Sequence, residues 1–452
     1  MTVLDLSFIS LHVNGAELRG DNVALTGVTQ DTRNLKPGEL YVAISGARFD
    51  GHDFVSAAEE AGAAAVLVER EVETSLPQVI VPDSQKALGE FASAWRCEFQ
   101  LPVIGITGST GKTTVKQMLA SIFSGIGNTL YTLGNYNNEI GVPLTLLRLR
   151  ADHDFAVIEM GANHVGDIAY LVSLVRPGIG LVTNAGAAHL EGFGSLEGVV
   201  QGKGEIYEGV VDGGVCVING DQPWADEWVE RAGMRRIVKF GIAGAFDFHV
   251  SGMVEEEGGV QSFTLQTPSG AVDVRLALPG RHNVANALAA SAAAWARGAN
   301  LEQIRHGLEN VEMVSGRMSV TQLPDGTTLV DDSYNANPLS MRAAIDWLAG
   351  TGRPGIFVMG DMGELGPDSE AMHADVGDYA AERGIRHFLA VGEETAAACR
   401  AFGEDAQNFS DIESLVEALD ALAKPGMTIV VKGSRSSRME RVVAALKERR
   451  AG

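Results

Sequence analysis

A glycine-rich segment that ends in lysine and threonines has the composition of a phosphate-binding loop. Residues 105–114 read Gly-Ile-Thr-Gly-Ser-Thr-Gly-Lys-Thr-Thr, and the apolar, β-branched run before them predicts a buried strand. Backbone N–H groups and the N-terminus of the next helix attract an anion, Lys112 adds a positive charge, and the Thr113 hydroxyl can ligate Mg²⁺. We predict that the loop binds nucleotide phosphates through Gly108, Ser109, Thr110, Gly111, Lys112, Thr113 and Thr114.

The spacing of this loop departs from the general P-loop pattern at one position. That pattern places a glycine five residues before the Gly-Lys pair, where this chain has Ile106. The segment instead has the compact form Gly108-x-x-Gly111-Lys112-Thr113. An ordinary strand-to-helix turn is the alternative interpretation, and the Lys-Thr-Thr opening of the helix favours a phosphate cradle over it.

Three further polar residues could complete such a site. Glu159 ends an apolar run, at the strand end that faces the ligand crevice of an open α/β sheet, and it is placed to hold Mg²⁺; a capping or salt-bridged glutamate is the alternative. His189 lies in a loop of small residues after another strand, where a structural role and a ligand role are equally compatible with the pattern. Lys203 stands between two glycines, and that pattern alone favours a surface lysine.

Amides and charged side chains later in the chain could bind the rest of a nucleotide. Asn283 and Asn286 share a helix face and could read an adenine edge, or cap the helix. Arg317, at a predicted domain junction, could reach a γ-phosphate when the domains close, and Asp332 could accept hydrogen bonds from ribose hydroxyls. A hinge salt bridge is the alternative for these two residues.

Two segments near the end of the chain each follow a predicted strand. They read Gly360-Asp-Met-Gly-Glu-Leu-Gly366 and Val431-Lys-Gly-Ser-Arg435. Lys432 and Arg435 are cationic groups near a helix start, which suits a carboxylate substrate. A plain loop is equally compatible with the sequence.

The composition indicates a large acidic protein. Its 452 residues exceed a single typical core and suggest about three domains. The balance of 35 basic against 58 acidic residues gives a net charge of −23, which argues against nucleic-acid or anionic-membrane binding through a basic surface. Three cysteines, far apart and without metal-ligand spacing, indicate reduced thiols. No leader-like N-terminus or membrane-length apolar run occurs, so we expect a cytoplasmic protein without membrane insertion.

The chain divides into three regions that differ in their pattern of strand-like and helix-like runs, and these patterns predict the elements that position the candidate residues. Residues 1–82 hold short strand-like runs at 23–25, 40–43 and 64–68, which predict a small mixed α/β domain. Residues 83–313 alternate strands and helices, which predicts a parallel-sheet ATPase domain, with an antiparallel annex near 246–278. Residues 314–452 repeat strand then helix, ending in a helix at 435–447, and predict a Rossmann-like domain without a dinucleotide fingerprint. The predicted fold class is α/β with three domains.

These stretches together resemble the Mur ligase family, the ATP-dependent amide-forming enzymes of peptidoglycan precursor assembly. The resemblance covers essentially the whole chain in order. Its most specific segments are Gly108-Ser-Thr-Gly-Lys-Thr-Thr114, Gly134-Asn-Tyr-Asn-Asn-Glu-Ile-Gly-Val-Pro143, Asp332-Ser-Tyr-Asn-Ala-Asn-Pro338 and the two segments that begin at Gly360 and Val431.

The resemblance implies a role for each candidate residue. Thr113 and Glu159 would serve one Mg²⁺, and His189 would bind or position a second. Lys203 matches the lysine that is carbamylated in the family, which turns a cation into a metal ligand and reverses the preference for a surface lysine. The implied catalytic residues are Lys112, His189, Lys203 and Arg317, with Asn283 and Asn286 at adenine, Arg317 at the γ-phosphate and Asp332 at the ribose. The implied substrate-binding residues are Asp31, Thr32, Arg33, Arg48, Asp50 and His52 for a uridine diphosphate, Asn137 and Asn138 for its sugar-peptide, and Asn335, Asp361, Glu364, Lys432, Ser434 and Arg435 in the domain that receives the amine.

The implied reaction joins D-alanyl-D-alanine to a UDP-N-acetylmuramoyl tripeptide with ATP and Mg²⁺, in a protein that we expect to be a monomer. The chain lacks the Asp-Asn-Pro-Arg tetrapeptide common in the sibling that adds the third residue, and residues 1–30 lack the glycine-rich fingerprint of the first two peptide-adding siblings. Another amide ligase of this type, a folylpolyglutamate synthase-like enzyme and a P-loop kinase are the alternatives. A binding scaffold without turnover is disfavoured, because Lys112, Glu159, His189, Lys203 and Arg317 are all present.

Overall fold

The computed structural model describes residues 3–46, 49–256 and 258–450. These residues form four successive sheets, of five, six, three and six strands. The predicted α/β architecture, with a parallel central sheet and an antiparallel annex, is confirmed. The predicted domain boundaries after residues 82 and 313 fall between sheets and stay predictions. None of the helices in the described part of the chain combines the length and the apolar character that a bilayer span requires.

The first sheet has the order β1-β5-β4-β3-β2, with β1 antiparallel to β5 and the other pairs parallel. Its strands are β1 (Glu17–Arg19), β2 (Val28–Thr29), β3 (Leu40–Val42), β4 (Ala65–Val68) and β5 (Gln78–Ile80), and its helices are α1 (Leu6–His12), α2 (Val55–Glu60) and α3 (Ser84–Cys97), with a 3₁₀ turn at Gly51–Phe54. The prediction of a strand at 23–25 is wrong. That run bonds instead to the backbone around the start of α1, through Leu25 N to Leu4 O and Leu6 N to Val23 O.

The second sheet is parallel throughout, in the order β11-β10-β9-β6-β8-β7. Its strands are β6 (Val103–Thr107), β7 (Thr129–Tyr131), β8 (Phe155–Glu159), β9 (Ile179–Val182), β10 (Val215–Asn219) and β11 (Arg236–Phe240). The strand β6 lies between β8 and β9, with Val103 opposite Ala156 and Ile104 opposite Ile179. The loops that follow these three strands therefore meet at one sheet edge.

Helices cover both faces of this sheet, which explains why β6 is buried at every residue. They are α4 (Lys112–Ser124), α5 (Gly141–Leu146), α6 (Asp167–Val175), α7 (Leu190–Phe193), α8 (Leu196–Glu208), α9 (Ala225–Ala232), α10 (Arg281–Ala296) and α11 (Leu301–Glu309). The helix α4 buries Val115, Met118, Leu119, Ile122 and Phe123, at the spacing of an amphipathic helix. This packing fixes α4 and the loop before it.

The annex is an antiparallel three-stranded sheet, as predicted. Its strands are β12 (His249–Glu255), β13 (Gln261–Thr267) and β14 (Gly270–Leu276). Glu255 accepts a hydrogen bond from the Trp347 indole at 2.7 Å, which links the annex to the last part of the chain.

The last sheet has the order β15-β16-β20-β17-β18-β19, parallel except for the pairing of β15 with β16. Its strands are β15 (Ser319–Gln322), β16 (Thr328–Asp332), β17 (Gly355–Gly360), β18 (His387–Val391), β19 (Ala406–Phe409) and β20 (Thr428–Lys432). Its helices are α12 (Pro338–Gly350), α13 (Ser369–Glu382), α14 (Thr395–Phe402), α15 (Ile412–Leu422) and α16 (Glu440–Arg449), with 3₁₀ turns at Gly366–Asp368 and Arg435–Ser437. The predicted helix at 435–447 begins later than expected, because Arg438 has a left-handed φ of 51° that separates the turn from α16.

Candidate active site

A cavity of about 590 Å³ opens between the second sheet and the last one. It gathers candidates from distant parts of the chain: its lining includes Lys112, Glu159, His189, Asn283, Asn286, Arg317, Asp332, Lys432 and Arg435. The loops after β6, β8 and β9 supply one wall, and the segments before β15 and after β16 and β20 supply the other. The structure therefore places the predicted nucleotide-binding and hinge residues in one cleft.

The phosphate-binding loop depends on two glycines with positive φ. Gly108 has a φ of +146° and Gly111 a φ of +79°. A Cβ atom on Gly108 would lie 1.9 Å from Thr183 Oγ1, and one on Gly111 would lie 2.3 Å from Asn286 Oδ1. The Lys112 ammonium donates to the Gly108 carbonyl at 2.5 Å and thus lies across the loop. Burial lowers the pKa of Lys112, while the nearby Glu159 carboxylate opposes that shift.

The segment after β9 holds this loop in place, a role that the sequence reasoning missed. Thr183 Oγ1 donates to the Thr110 carbonyl at 2.6 Å. The Asn184 side-chain oxygen accepts hydrogen bonds from Thr110 N and Thr110 Oγ1, both at 3.1 Å. The Ser109 hydroxyl donates to Gly186 O at 3.0 Å. A Thr-Asn pair directly after a strand that neighbours β6 was the available signal.

We expect Gly111→Ala to weaken ADP binding by at least about 10-fold, because the methyl group would displace the Asn286 amide or the loop itself. The matched control is Gly213→Ala, since Gly213 has a similar φ of +75° but no atom within 4 Å of an added Cβ. That variant should lose only about 1–2 kcal/mol of stability through left-handed strain and keep its ADP affinity. Calorimetric titration with ADP checks both variants, and equal affinities would contradict the steric argument.

Glu159 is the carboxylate at the centre of the cleft. Its Oε1 accepts hydrogen bonds from Thr113 Oγ1 at 3.2 Å and from Asn137 Nδ2 at 2.8 Å. Its Oε2 is buried and has no hydrogen-bond partner among the described residues. A hydroxyl beside a carboxylate oxygen that faces the cleft, as Thr113 Oγ1 lies beside Glu159 Oε1, is the kind of donor set that Mg²⁺ takes when phosphates and water supply the remaining ligands. The residues present therefore fit a magnesium ion, although no group of three His, Cys, Asp or Glu suited to a metal occurs within the described residues.

Lys116, which the sequence reasoning missed, is the other partner of Glu159. Its ammonium lies 3.3 Å from Glu159 Oε2, and both side chains are only 2% exposed. It also donates to the Gly134 carbonyl at 3.2 Å. Burial lowers the pKa of Lys116, and Glu159 opposes the shift.

His189 and Glu364 form an ion-pair contact that joins the second sheet's region to the last one. His189 Nδ1 contacts Glu364 Oε2, and the histidine lowers the pKa of that glutamate through a hydrogen bond. Both residues have a left-handed backbone, with φ of 55° and 60°. The structure thus places a predicted metal ligand against a predicted substrate-binding residue.

Lys203 is buried behind the cleft, which differs from the surface position that its sequence pattern alone favoured. It is 1% exposed, its ammonium donates to Ala162 O at 3.2 Å, and it lies 5.0 Å from the centre of the Phe193 ring. Burial holds its pKa well below the ordinary lysine value, and the charge of Lys112 lowers it further. Burial therefore shifts this amine toward its uncharged form, relative to a lysine in water.

The two predicted adenine-binding amides are buried and bonded to one another. Asn286 Nδ2 donates to Asn283 Oδ1 at 3.0 Å, and Asn283 Nδ2 donates to Pro279 O at 2.8 Å. Both line the cavity near the loop. His282, which was not among the predicted site residues, also lines the cavity, and burial lowers its pKa.

Arg317 reaches across the cleft to the phosphate-binding loop. Its Nη2 donates to Thr113 Oγ1 at 3.0 Å, while its buried Nε has no hydrogen-bond partner among the described residues. Its guanidinium lies 4.3 Å from the centre of the Tyr334 ring, and Arg435 lies 6.0 Å from the same ring. Tyr334 was not predicted as a site residue, and it holds Arg317 through a cation–π contact.

Lys432 is an internal cation rather than an open binding group. Its ammonium pairs with Asp332 Oδ2 at 2.6 Å and donates to Asn335 O at 3.0 Å, and its side chain is 3% exposed. Asp332 also accepts from Met318 N at 3.2 Å. The predicted ribose-binding and carboxylate-binding residues therefore neutralise one another at the edge of the cavity.

Two of the remaining candidates in the last part of the chain have structural partners. Asp361 Oδ1 accepts from Thr395 N at 2.9 Å at the start of α14. The Ser434 hydroxyl bonds with the hydroxyls of Ser436 and Ser437, and Ser434 N donates to Asp361 O. These contacts shape the loops at the carboxyl edge of the last sheet.

The described candidates around the first sheet do not line the cavity. Arg33 makes two hydrogen bonds to the Asp31 carboxylate, at 2.8 and 2.7 Å, and lowers the pKa of that carboxyl. His52 Nε2 accepts from Glu69 N, so its Nδ1 proton is donated to Asp50 at 2.6 Å. Arg70 then lowers the pKa of Asp50. Thr32 lies next to Asp31 in the sequence, and Arg48 lies outside the described residues. Asn138 belongs to the region of the second sheet, where its side-chain oxygen accepts a hydrogen bond from Gly141 N at the start of α5.

Three models of known protein families match successive parts of the chain. They are "Mur ligase family, catalytic domain" at residues 24–96, "Mur ligase middle domain" at residues 106–294 and "Mur ligase, glutamate ligase domain" at residues 316–435. The phosphate-binding loop, Glu159 and His189 all lie in the middle match, and Arg317 lies in the last.

Individual relatives match over nearly the full length. The UDP-N-acetylmuramoyl-tripeptide–D-alanyl-D-alanine ligase of Escherichia coli is 48% identical over 451 residues, which is 99% of each chain. A crystal structure of MurF from Acinetobacter baumannii has a TM-score of 0.93 at 35% identity and 99% coverage of both chains. The MurF ligase of Thermotoga maritima, solved in complex with ADP, has a TM-score of 0.84 at 28% identity, with 93% of this chain and 97% of that one covered.

Proposed function

The chain belongs to the Mur ligase family, and we propose that it joins D-alanyl-D-alanine to UDP-N-acetylmuramoyl-tripeptide with ATP. The observation that carries this proposal is the 48% identity, over 99% of both chains, to the Escherichia coli ligase with that name. The cleft supports it, because a phosphate-binding loop faces an arginine from the opposite wall. The product is the pentapeptide precursor of peptidoglycan, together with ADP and phosphate.

The reaction proceeds in two steps. The terminal carboxylate of the tripeptide attacks the γ-phosphorus of ATP, which gives an acyl phosphate and ADP. The amine of the dipeptide then attacks the acyl carbon, and phosphate leaves. The first step brings two anions together, so Lys112 and Arg317 offset their repulsion and stabilise the charge on the transferred phosphoryl group. Closure of the cleft around Arg317 excludes water from the acyl phosphate.

The proposed reaction also requires magnesium. Thr113 and Glu159 would hold one Mg²⁺, and His189 together with a carbamylated Lys203 would hold a second. When bound, the metal supplies positive charge at the phosphate oxygens. The position of Glu159 Oε1 beside the Thr113 hydroxyl and the depressed pKa of Lys203 support this assignment, since only an uncharged lysine amine reacts with carbon dioxide.

The other predicted residues receive the substrates. Asn283 and Asn286 bind adenine and Asp332 binds the ribose. The uridine diphosphate end contacts Asp31, Thr32, Arg33, Arg48, Asp50 and His52, the sugar-peptide contacts Asn137 and Asn138, and the region that receives the dipeptide includes Asn335, Asp361, Glu364, Lys432, Ser434 and Arg435. The enzyme works as a monomer in the cytoplasm, where ATP and the UDP-linked substrate are available.

The proposed function predicts sustained ADP release, over many turnovers, that requires both the muramoyl tripeptide and D-alanyl-D-alanine. Without the dipeptide, the acyl phosphate cannot be resolved into an amide, so turnover should stop after the first step. Mass analysis of the products, with diaminopimelate- and lysine-containing tripeptides, checks the assignment. Sustained ADP release that does not depend on either substrate would contradict it, and phosphate transfer to a stable acceptor without an amide product would indicate a kinase.

A further inference from the structure

Lys116 is a buried cation to which the reaction described above gives no role. It lies one helical turn beyond Lys112 on α4, it is 2% exposed, and it is not part of the cavity lining. Removing an ammonium group from water is costly, so a buried lysine requires an opposite charge nearby. Glu159 provides that charge, 3.3 Å away.

The two oxygens of Glu159 face different groups. Oε1 accepts hydrogen bonds from Thr113 and Asn137, which both line the cavity. Oε2 has no hydrogen-bond partner among the described residues, and the Lys116 ammonium faces it from outside the cavity lining. The Lys116 ammonium therefore balances the negative charge of the carboxylate at Oε2, on the side away from the cavity, while Oε1 faces the cleft.

The charges around Glu159 do not suit a free dication. Lys116 lies 3.3 Å from Glu159, Arg317 donates to the Thr113 hydroxyl that bonds to Glu159, and Lys112 lies across the same loop, so three cations lie near one carboxylate. Such a cluster attracts the phosphates of a nucleotide and repels Mg²⁺. Once a nucleotide is bound, its phosphate oxygens add the negative charge and the ligands that the metal requires.

We propose that Lys116 is an internal counter-ion of Glu159 that makes the entry of Mg²⁺ depend on the nucleotide. Without Lys116, Glu159 would lose the cation that pairs with its buried Oε2, and the carboxylate would attract the metal more strongly. With Lys116 present, the negative charge of Glu159 is already balanced when no nucleotide is bound, and the metal enters together with the phosphate groups of the nucleotide. Lys116 acts through Glu159 and touches no substrate, so it is a positioning residue. The inference rests on the proposed Mg²⁺ site at Thr113 and Glu159.

The test measures metal binding and stability without turnover, so its failure is distinct from a failure of the ligase assay. Full-length Lys116→Met should bind Mg²⁺ in the absence of nucleotide at least about 10-fold more tightly than the wild type, because a charge beside the carboxylate has been removed. Its unfolding temperature in EDTA should fall, and Mg²⁺ should restore more of that loss than it adds to the wild type. Lys86→Met, an equal charge change on an exposed lysine of α3, should behave like the wild type.

A second variant separates charge from packing. Lys116→Gln keeps a donor near Glu159 and Gly134 but removes the charge, so it should show the same gain in affinity for Mg²⁺ alone even if the methionine variant fails to fold. Wild-type affinity for Mg²⁺ alone in Lys116→Gln would overturn the proposal and leave Lys116 as an ordinary structural partner. Absence of Mg²⁺ binding to the wild type in the presence of ADP would overturn the metal site, and the inference with it.

Discussion

Replacing Arg317 with methionine is expected to lower kcat by about 10³- to 10⁵-fold, the range found when an arginine that stabilises a transferring phosphoryl group is lost. The guanidinium is held 3.0 Å from Thr113 Oγ1 and 4.3 Å from the Tyr334 ring centre. It therefore sits beside the loop that binds the phosphates, although its backbone belongs to the opposite wall of the cleft. In the proposed reaction, its charge would be needed most when the carboxylate of the tripeptide approaches the γ-phosphate.

Single-turnover measurement of ADP formation, with the KM for ATP, separates the chemical step from binding. Most of the loss should fall on kcat, because Lys112 and the loop amides still bind the ground-state nucleotide. Arg317→Lys should recover part of the rate, since it restores the charge without the planar group that stacks on Tyr334. Arg305→Met removes an exposed arginine of α11 and is the control. A large rise in KM with unchanged kcat would refute the assignment.

The phosphate-binding loop could be predicted because its determinants are contiguous in sequence. The strand and the helix follow from a β-branched run and a 3.6-residue apolar period, and both are confirmed at Val103–Thr107 and Lys112–Ser124. The prediction that Glu159 and Arg317 lie close to this loop had two grounds. Glu159 ends a strand at the ligand-binding edge of the sheet, and Arg317 lies at a predicted domain junction. The structure brings both to Thr113.

Contacts between distant positions could not be predicted in the same way. Lys116 has the pattern of an ordinary helical lysine, and only the fold places its ammonium against Glu159. Lys432 was predicted as a group for a carboxylate substrate, but its partner Asp332 lies on the neighbouring strand β16. His189 was predicted as a metal ligand, and its contact with Glu364 requires knowledge of how two sheets face each other. The spacing of apolar residues identifies the helix or strand that carries a side chain. It does not identify the helix, strand or loop that packs against that side chain in the fold.

The second large effect concerns Lys203, whose replacement by alanine is expected to lower kcat by about 10²- to 10³-fold, since metal-based charge stabilisation amounts to several kcal/mol. The amine is 1% exposed, and burial depresses its pKa well below the ordinary lysine value. An uncharged amine attacks carbon dioxide, forms a C–N bond and releases a proton. In the proposed role, the resulting carbamate would carry the carboxylate oxygens that a lysine lacks and would serve as a ligand for Mg²⁺.

Chemical rescue distinguishes this role from packing. Added formate or acetate should restore part of the activity of Lys203→Ala, because a small carboxylate can occupy the space that the lysine side chain vacates. The same anions should leave the wild type and a variant of the neighbouring ring, Phe193→Leu, without any gain, since both keep the lysine. Labelled bicarbonate should give a carbamate signal in the wild type that Lys203→Ala lacks. Full activity of Lys203→Ala would rule out the carbamate, and so would a folded, inactive variant that short carboxylic acids do not rescue. Rescue by these anions is expected only if activity depends on the carboxylate oxygens of the carbamate, rather than on the positive charge of the lysine.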